Sequence, residues 1–352
     1  MDIQPYLKLM VEKSGSDLFF TVNSPVKIKI EGQSTPVGKT VLTGEICKAA
    51  AYGIMNDYQR TQFEENLEVD FAIALEDGSA RFRVNVFHQR GDIGMVLRLI
   101  PSKIPTVEEL GLPEILNEVI MAKRGLILMV GATGSGKSTS LAAMINHRNE
   151  NMAGHILTIE DPVEFSHPHK KSIVNQREVG VDTMSYARAL KSSLREAPDV
   201  ILIGEIRDRE TMEAAMELSN TGHLAISTLH ANNANQAMER VINMFEQAEH
   251  KQLFMDLSLN IRAVISQRLV TGVDGKRCAA IEIMVNTPHI SELILKGDLD
   301  EIKVAMAESG QKGMQTFDLA LYNLYKEGRI ELEEALNNAD SRTNLEAKIN
   351  FG

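Results

Sequence analysis

Residues 125–139 read GLILMVGATGSGKST. An apolar run, Gly125 to Val130, enters a glycine-rich tract and is followed at once by STSLAAMINHRNEN, whose apolar residues have helical spacing. A wholly apolar strand this short must be covered on both faces, and strands alternating with helices give a parallel sheet with helices on either side. The tract fits G-x-x-x-x-G-K-[ST] in the strand-to-helix context that marks a P-loop. Glycines there let backbone N–H groups wrap phosphate oxygens, and the helix N-terminus adds a favourable dipole. On this reading Gly131, Ala132, Thr133, Gly134, Ser135, Gly136, Lys137, Ser138 and Thr139 bind ATP. Lys137 neutralises β- and γ-phosphate charge and Ser138 ligates Mg2+.

Three further apolar runs, HILTIED, DVILIGE and GHLAISTLH, are separated by helical patterns such as TMEAAMELSNTG. Each ends in polar residues at the carboxyl edge of the expected sheet, where ligands bind. The second is odd. A run such as Val200–Ile203 should end in the aspartate that holds magnesium through water, yet it ends in Gly204 and Glu205. Taken singly, Glu160 is a capped strand exit, Glu205 a solvated acid opening a helix, and His230 a satisfied polar group. Four strand exits in order, carrying the P-loop, Glu160 and Asp161, Glu205, and Thr228 with His230, are far more specific. Glu205 can then approach the γ-phosphate and polarise a water.

At 352 residues the chain is long enough for two domains. Residues 1–100 mix short helices with strands such as VKIKIEG and ARFRVNVFHQ, the latter putting Arg81, Arg83 and Asn85 on one face and Phe82, Val84 and Val86 on the other. The proline-rich piece PSKIPTVEELGLPEIL reads as a linker over 101–124, an ATPase core follows over 125–286, and a helical region fills 287–352. A net charge of −11 argues against a broad nucleic-acid surface. Cys47 and Cys278 are too far apart in sequence for a paired zinc motif and read as free thiols of a reducing cytosol. SHPHKKS reads as a polar loop. MDIQPYLKLM is a poor signal peptide, and the six-residue run at Gly125 is far below the ~20 apolar residues of a membrane span. A chain like this reaches a membrane by docking on something already there.

The motifs GATGSGKST, TIEDPVEF, LIGEIRD and TGHLAISTLHANN resemble the Walker A, Asp box, atypical Walker B and His box of secretion and pilus motor ATPases. With GSDLFF, ARFRVNVF, IPSKIPTVEELGLPE, NQREVG, SQRLV and GMQTFDLAL, the resemblance covers nearly the whole chain and points to the type IV pilus retraction family, the PilT/PilU branch. It implies an α/β fold: a RecA-like P-loop core, a smaller α+β (PAS-like) amino-terminal domain and a helical carboxyl-terminal extension. It further implies that Glu205 activates the attacking water, that Glu160 helps hold water around magnesium, and that His223 and His230 sense the nucleotide. Arg81, Arg83 and Arg98 would be supplied to a neighbouring subunit's nucleotide, with Arg207 a further candidate. The implied assembly is a cytoplasmic hexamer at the inner-membrane face, moving about the Pro101–Pro113 segment and pushing on a membrane platform protein. One departure bears on the type of motor. The principal motors carry Ala-Ile-Arg-Asn shortly after a Thr-Pro, whereas NTPHISELILKGD has Ser291 and Glu292 where the last two residues fall. That change, and the tail EALNNADSRTNLEAKINF, resemble the accessory type, acting with the principal motor. The principal type, and an ATP-binding ring component with little turnover, remain the alternatives at this level.

Overall fold

The computed structural model describes residues 1–30, 32–101 and 103–351. Glu31 of VKIKIEG, Ser102 of the expected linker and Gly352 of the helical region lie outside the described residues. The chain divides into two compact units, one of residues 1–103 with 164–166, the other of residues 104–163 and 167–352.

The first unit is built on an antiparallel sheet. Its strands are β1 (Asp17–Phe20), β2 (Lys27–Ile30), β3 (Gln33–Pro36), β4 (Glu68–Ala74), β5 (Arg81–Gln89) and β6 (Asp92–Ile100), in the order β3-β2-β1-β6-β5-β4. The period-two pattern of β5 does what it predicts: Phe82, Val84 and Val86 are fully buried, in one cluster with Leu18, Phe63, Phe71 and Leu97. Two of the helices here are closed by their own side chains. Thr43 caps Gly44–Ile54, and Asn56 with Gln59 forms a capping box on Asp57–Asn66.

The second unit holds β7 (Gly125–Val130), β8 (Gly154–Glu160), β9 (Ser172–Glu178), β10 (Val200–Ile203), β11 (Leu224–Leu229), β12 (Ile261–Thr271) and β13 (Arg277–Val285). Among the described residues these form a seven-stranded sheet in the order β13-β12-β7-β11-β10-β8-β9. β7 to β12 are mutually parallel where they pair, and only β13 runs antiparallel, against β12. Every residue of β7 and β10 is buried, as their unbroken apolar runs require. The sheet is larger than the four apolar runs suggested: β9, β12 and β13 are additional.

Two expectations change here. Residues 104–124 are not a loose linker, since Val107, Leu112, Leu116 and Ile120 are buried in one cluster with Ile127 and Met129 of β7. Nor is SHPHKKS simply a polar loop. His167 is 8% exposed, its Nδ1 has no hydrogen-bond partner, and burial pushes its pKa down to about 4. The helical region matches its pattern: Phe317, Leu321 and Leu324 are buried along Phe317–Lys326, and Gly328 follows at φ +67°.

His167 gives a prediction with a definite sign. The unfolded imidazole takes up a proton near pH 6.5 and the folded one only near 4, so the unfolded chain binds the extra proton between them. Stability is intact above pH 6.5 and falls as pH drops toward 4, by about 2 kcal/mol between pH 7 and pH 5. Denaturant midpoints at the two pH values should show this loss in the native sequence, and His167→Leu should reduce it by that amount.

Candidate functional site

Parallel register brings the ends of β7, β11, β10 and β8 to one edge, in that order across the sheet. The P-loop leaves β7 and turns through Gly131, Gly134 and Gly136 at φ +152°, +77° and +88° before the helix Lys137–Asn151. Two of these glycines are required by β12 as well as by the turn. A Cβ on Gly131 would stand 2.5 Å from the Gln267 carbonyl oxygen, and one on Gly136 would stand 2.7 Å from Gln267 Nε2. Gln267 is itself buried and accepts a 2.7 Å hydrogen bond from Ser140 Oγ inside the helix. Lys137 Nζ donates to the carbonyl oxygens of Gly131 and Ala132 at 2.7 and 2.9 Å. Burial lowers the lysine pKa, and the Glu205 carboxylate is near enough to oppose that.

Glu205 is the meeting point of the other strand ends. Its Oε2 accepts from Arg207 Nε at 2.8 Å, and its Oε1 lies 3.1 Å from His230 Nε2. The carboxylate is 16% exposed, so both contacts act in a partly dehydrated setting. Arg207 also stands 3.9 Å from Asp161. Glu160 is held on the neighbouring strand, its Oε1 accepting from Thr158 Oγ1 at 2.6 Å and Gln176 Nε2 at 3.3 Å.

The missing aspartate has a steric explanation. A Cβ at Gly204 would meet Tyr186 Oη at 2.5 Å, Glu160 Cα at 3.2 Å and the Ile159 carbonyl oxygen at 3.2 Å. A side chain there would displace the Tyr186 hydroxyl and press on the β8 backbone, which would have to give by a few tenths of an ångström. The neighbouring strand end carries an acid of its own, Glu160. Tyr186, whose phenol pKa is pushed up first by burial and then by Asp161, lies among these acids.

His223 is not part of this cluster. Its carbonyl accepts from Gly125 N–H, at the start of β7, and its ring reaches Thr221 Oγ1 and the Leu218 carbonyl. It precedes β11 while His230 follows it, which separates the two by the strand's length, about 20 Å. The two histidines that the resemblance implies as nucleotide sensors therefore stand at opposite ends of β11. Arg81, Arg83 and Arg98 belong to the first unit. Arg83 and Arg98 are direct cross-strand partners; Arg98 Nε donates to Asp17 at 2.8 Å, and Arg83 Nε is 3.9 Å from Asp70.

Gln267, Tyr186, Thr158 and Gln176 were not picked out as site residues from sequence. Three of them lie in motifs that carried the family resemblance, Thr158 in TIEDPVEF, Gln176 in NQREVG and Gln267 in SQRLV, whereas Tyr186 lies in none. A cavity of about 410 Å³ is lined by Gly131, Ala132 and His230 together with Asn232, Gln236 and Arg240.

A buried parallel sheet with a P-loop and an acid-histidine pair on adjacent strand ends defines a P-loop nucleotide hydrolase. Residues 2–344 match the family described as Type II/IV secretion system protein, and the chain belongs to that family. It is 54% identical over 353 aligned residues to the type IV pilus ATPase PilU of Pseudomonas aeruginosa, covering 100% of this chain and 92% of that protein. To the type IV pilus retraction ATPase PilT of the same organism it is 44% identical, covering 96% and 98%. A crystal structure of the pilus retraction motor PilT with bound ADP superposes with TM-score 0.91 at 40% identity, covering 98% of this chain and 99% of that one. Within the family the chain is a pilus retraction ATPase.

Gly204 carries a test. Gly204→Ala must push β8 from β10 or swing the Tyr186 hydroxyl aside, and either displaces Glu205. Steady-state ATP turnover should fall at least about tenfold, the rate equivalent of ~1.4 kcal/mol of transition-state energy. Unchanged turnover would show that the close approach is not needed.

Proposed function

We propose that this chain is the accessory, PilU-type retraction ATPase, acting in a ring of copies together with a principal PilT-like motor. Greater identity to PilU than to PilT supports this, as does the carboxyl-terminal departure. Ser291 Oγ donates to the Ser258 carbonyl oxygen at 2.8 Å, and Glu292 pairs with Lys296 at 2.7 Å on the exposed face of Pro288–Lys296. An acid thus stands on a surface where the principal motors resemble one another in carrying a basic residue and an amide.

The observation that carries the catalytic reading is Glu205, 3.1 Å from His230 Nε2 and close enough to Lys137 to act on its charge. The glycine cradle and the buried, unpartnered Ser135 Oγ suit a phosphate chain. Ser138 would hold Mg2+ directly, with Glu160 and Glu205 acting through water, and the ion would offset phosphate charge there. No group of three or more His, Cys, Asp or Glu suited to a metal occurs among the described residues, in keeping with an ion held mainly by its nucleotide. Gly131–Thr139 bind the phosphates, Lys137 offsets their charge, Glu205 orients the attacking water and takes its proton, and His230 reads the γ-phosphate through Glu205. Arg207 holds the resting carboxylate.

Positive charge from a neighbouring copy completes the reading, through Arg81, Arg83 and Arg98, an arrangement able to contribute about 10³–10⁵ in rate. Arg98 is already tied to Asp17 through Nε, so its terminal amino groups remain for that task. No helix among the described residues is long and apolar enough to cross a membrane. Placement at the cytoplasmic face of the inner membrane therefore rests on docking to the pilus platform protein.

Two substitutions test the chemistry. Lys137→Ala should abolish binding of a fluorescent ATP analogue and turnover together. Glu205→Gln should keep binding but lower turnover by about 100-fold or more, the usual range for a lost general base. Full activity in the second variant would remove Glu205 from the chemistry.

Assembly and partnership are tested by turnover and mass. The purified protein should sediment as a ring of about six copies when nucleotide is present, and its ATP turnover should change on adding the principal motor. A monomer indifferent to that motor would contradict the accessory reading.

A further inference from the structure

β12 presents three consecutive residues to three parts of the second unit. Gln267 lies under the P-loop. Ser266 Oγ donates at 3.1 Å to Glu282, its cross-strand partner on β13, which is 1% exposed. The same oxygen, Glu282 Oε1, accepts the main-chain N–H of Ala234 at 2.8 Å. Arg268 reaches the Asn232 carbonyl oxygen through Nη2 at 3.3 Å and the Asn338 carbonyl through Nη1 at 2.7 Å. Its guanidinium lies 3.9 Å from the Phe317 ring centroid and pairs at 2.6 Å with Asp340, which also takes Lys303 at 2.6 Å.

Asn232 and Ala234 belong to the short segment that leaves His230. That segment is thus tied at two backbone points, Asn232 O and Ala234 N, by residues of the β12–β13 hairpin. The Asn233 side chain caps helix Ala234–Ile242 but takes only the Gln236 N–H, so the Ala234 N–H remains an unpaired end donor that Glu282, from the hairpin, satisfies. A buried carboxylate facing only neutral donors is costly to keep. A hydrophobic residue at 282 would pack this hairpin more cheaply, so the carboxylate's use lies in what it holds.

We propose that Glu282 and Arg268 are positioning residues for His230, fixing the imidazole against Glu205, and that Asp340 and the carboxyl-terminal helices support the site by bracing Arg268. Neither side chain touches the reacting groups. Both act through the backbone of residues 232–234, and the helical tail becomes part of the support of the site. The proposal rests on the catalytic reading of Glu205 and His230.

The full-length chain tests it with graded variants. Glu282→Gln keeps an oxygen for the Ala234 N–H and should retain turnover within about twofold, whereas Glu282→Leu keeps volume but removes the acceptor. Glu282→Leu should lower kcat about tenfold with ATP affinity within about twofold, as expected when roughly 1.4 kcal/mol of transition-state organisation is lost. Arg268→Lys keeps the charge beside Asp340 but loses the planar fork, and should behave like Glu282→Leu. In a His230→Ala background neither change should lower kcat further. Equal falls with and without His230, or wild-type kcat in both variants, would overturn the proposal. Hydrogen exchange across residues 230–236 reads the tie without turnover: both variants should raise it while β7 is unchanged. Unaltered exchange there would overturn the positioning role even in a protein with little ATPase activity, whereas failure of Lys137→Ala to silence turnover would strike the catalytic reading instead.

Discussion

The backbone-to-backbone approach of β8 and β10 at Gly204 sets the geometry on which the chemistry depends. A residue with a side chain there would press on β8, because Glu160 Cα and the Ile159 carbonyl oxygen lie 3.2 Å from where its Cβ would stand. With glycine in that place, Glu160 and Glu205 leave adjacent strands at nearly the same level. The departure from the usual aspartate thus coincides with a tight spot in the packing of β8 against β10, with a carboxylate at the end of each strand.

β11 lies between the P-loop strand and β10, so Lys137 and Glu205 stand one strand apart, with His230 at the end of the strand between them. Arg207 on the opposite side of Glu205 completes a charge balance in which one carboxylate is flanked by a guanidinium and an imidazole. The same partly dehydrated surroundings that strengthen these contacts lower the lysine pKa, and the Glu205 charge is what opposes that. The site is a coupled set of charges, so substitution of one member alters the others.

The amino-terminal sheet follows a different logic. Lys29, Asp17, Arg98 and Arg83 lie in one cross-strand row, with Asp17 between two cations and two arginines side by side at its end. Like charges directly opposite are unfavourable, and the flanking acids Asp17 and Asp70 reduce that cost. The other face of β5 carries Phe82, Val84 and Val86 into the core.

Local pattern alone determined the P-loop, the strands that end at Glu160, Glu205 and His230, the alternation that faces Arg81 and Arg83 outward, and the helix at Phe317. Each depends on periodicity or on a short motif whose neighbours in sequence are its neighbours in space. Tertiary structure decided the rest. His223 and His230 sit in one motif, yet a strand's length carries them to opposite edges. His167 lies in a run of polar residues, but the chain folds it into the interior. Ser266, Gln267 and Arg268 interrupt an apolar strand with polar groups whose partners, Glu282, Gly131, Gly136, Asn232 and Asp340, are set by the crossing of distant segments. No window along the chain contains those contacts, because sheet order and close approach of backbones arise only when the whole core has packed.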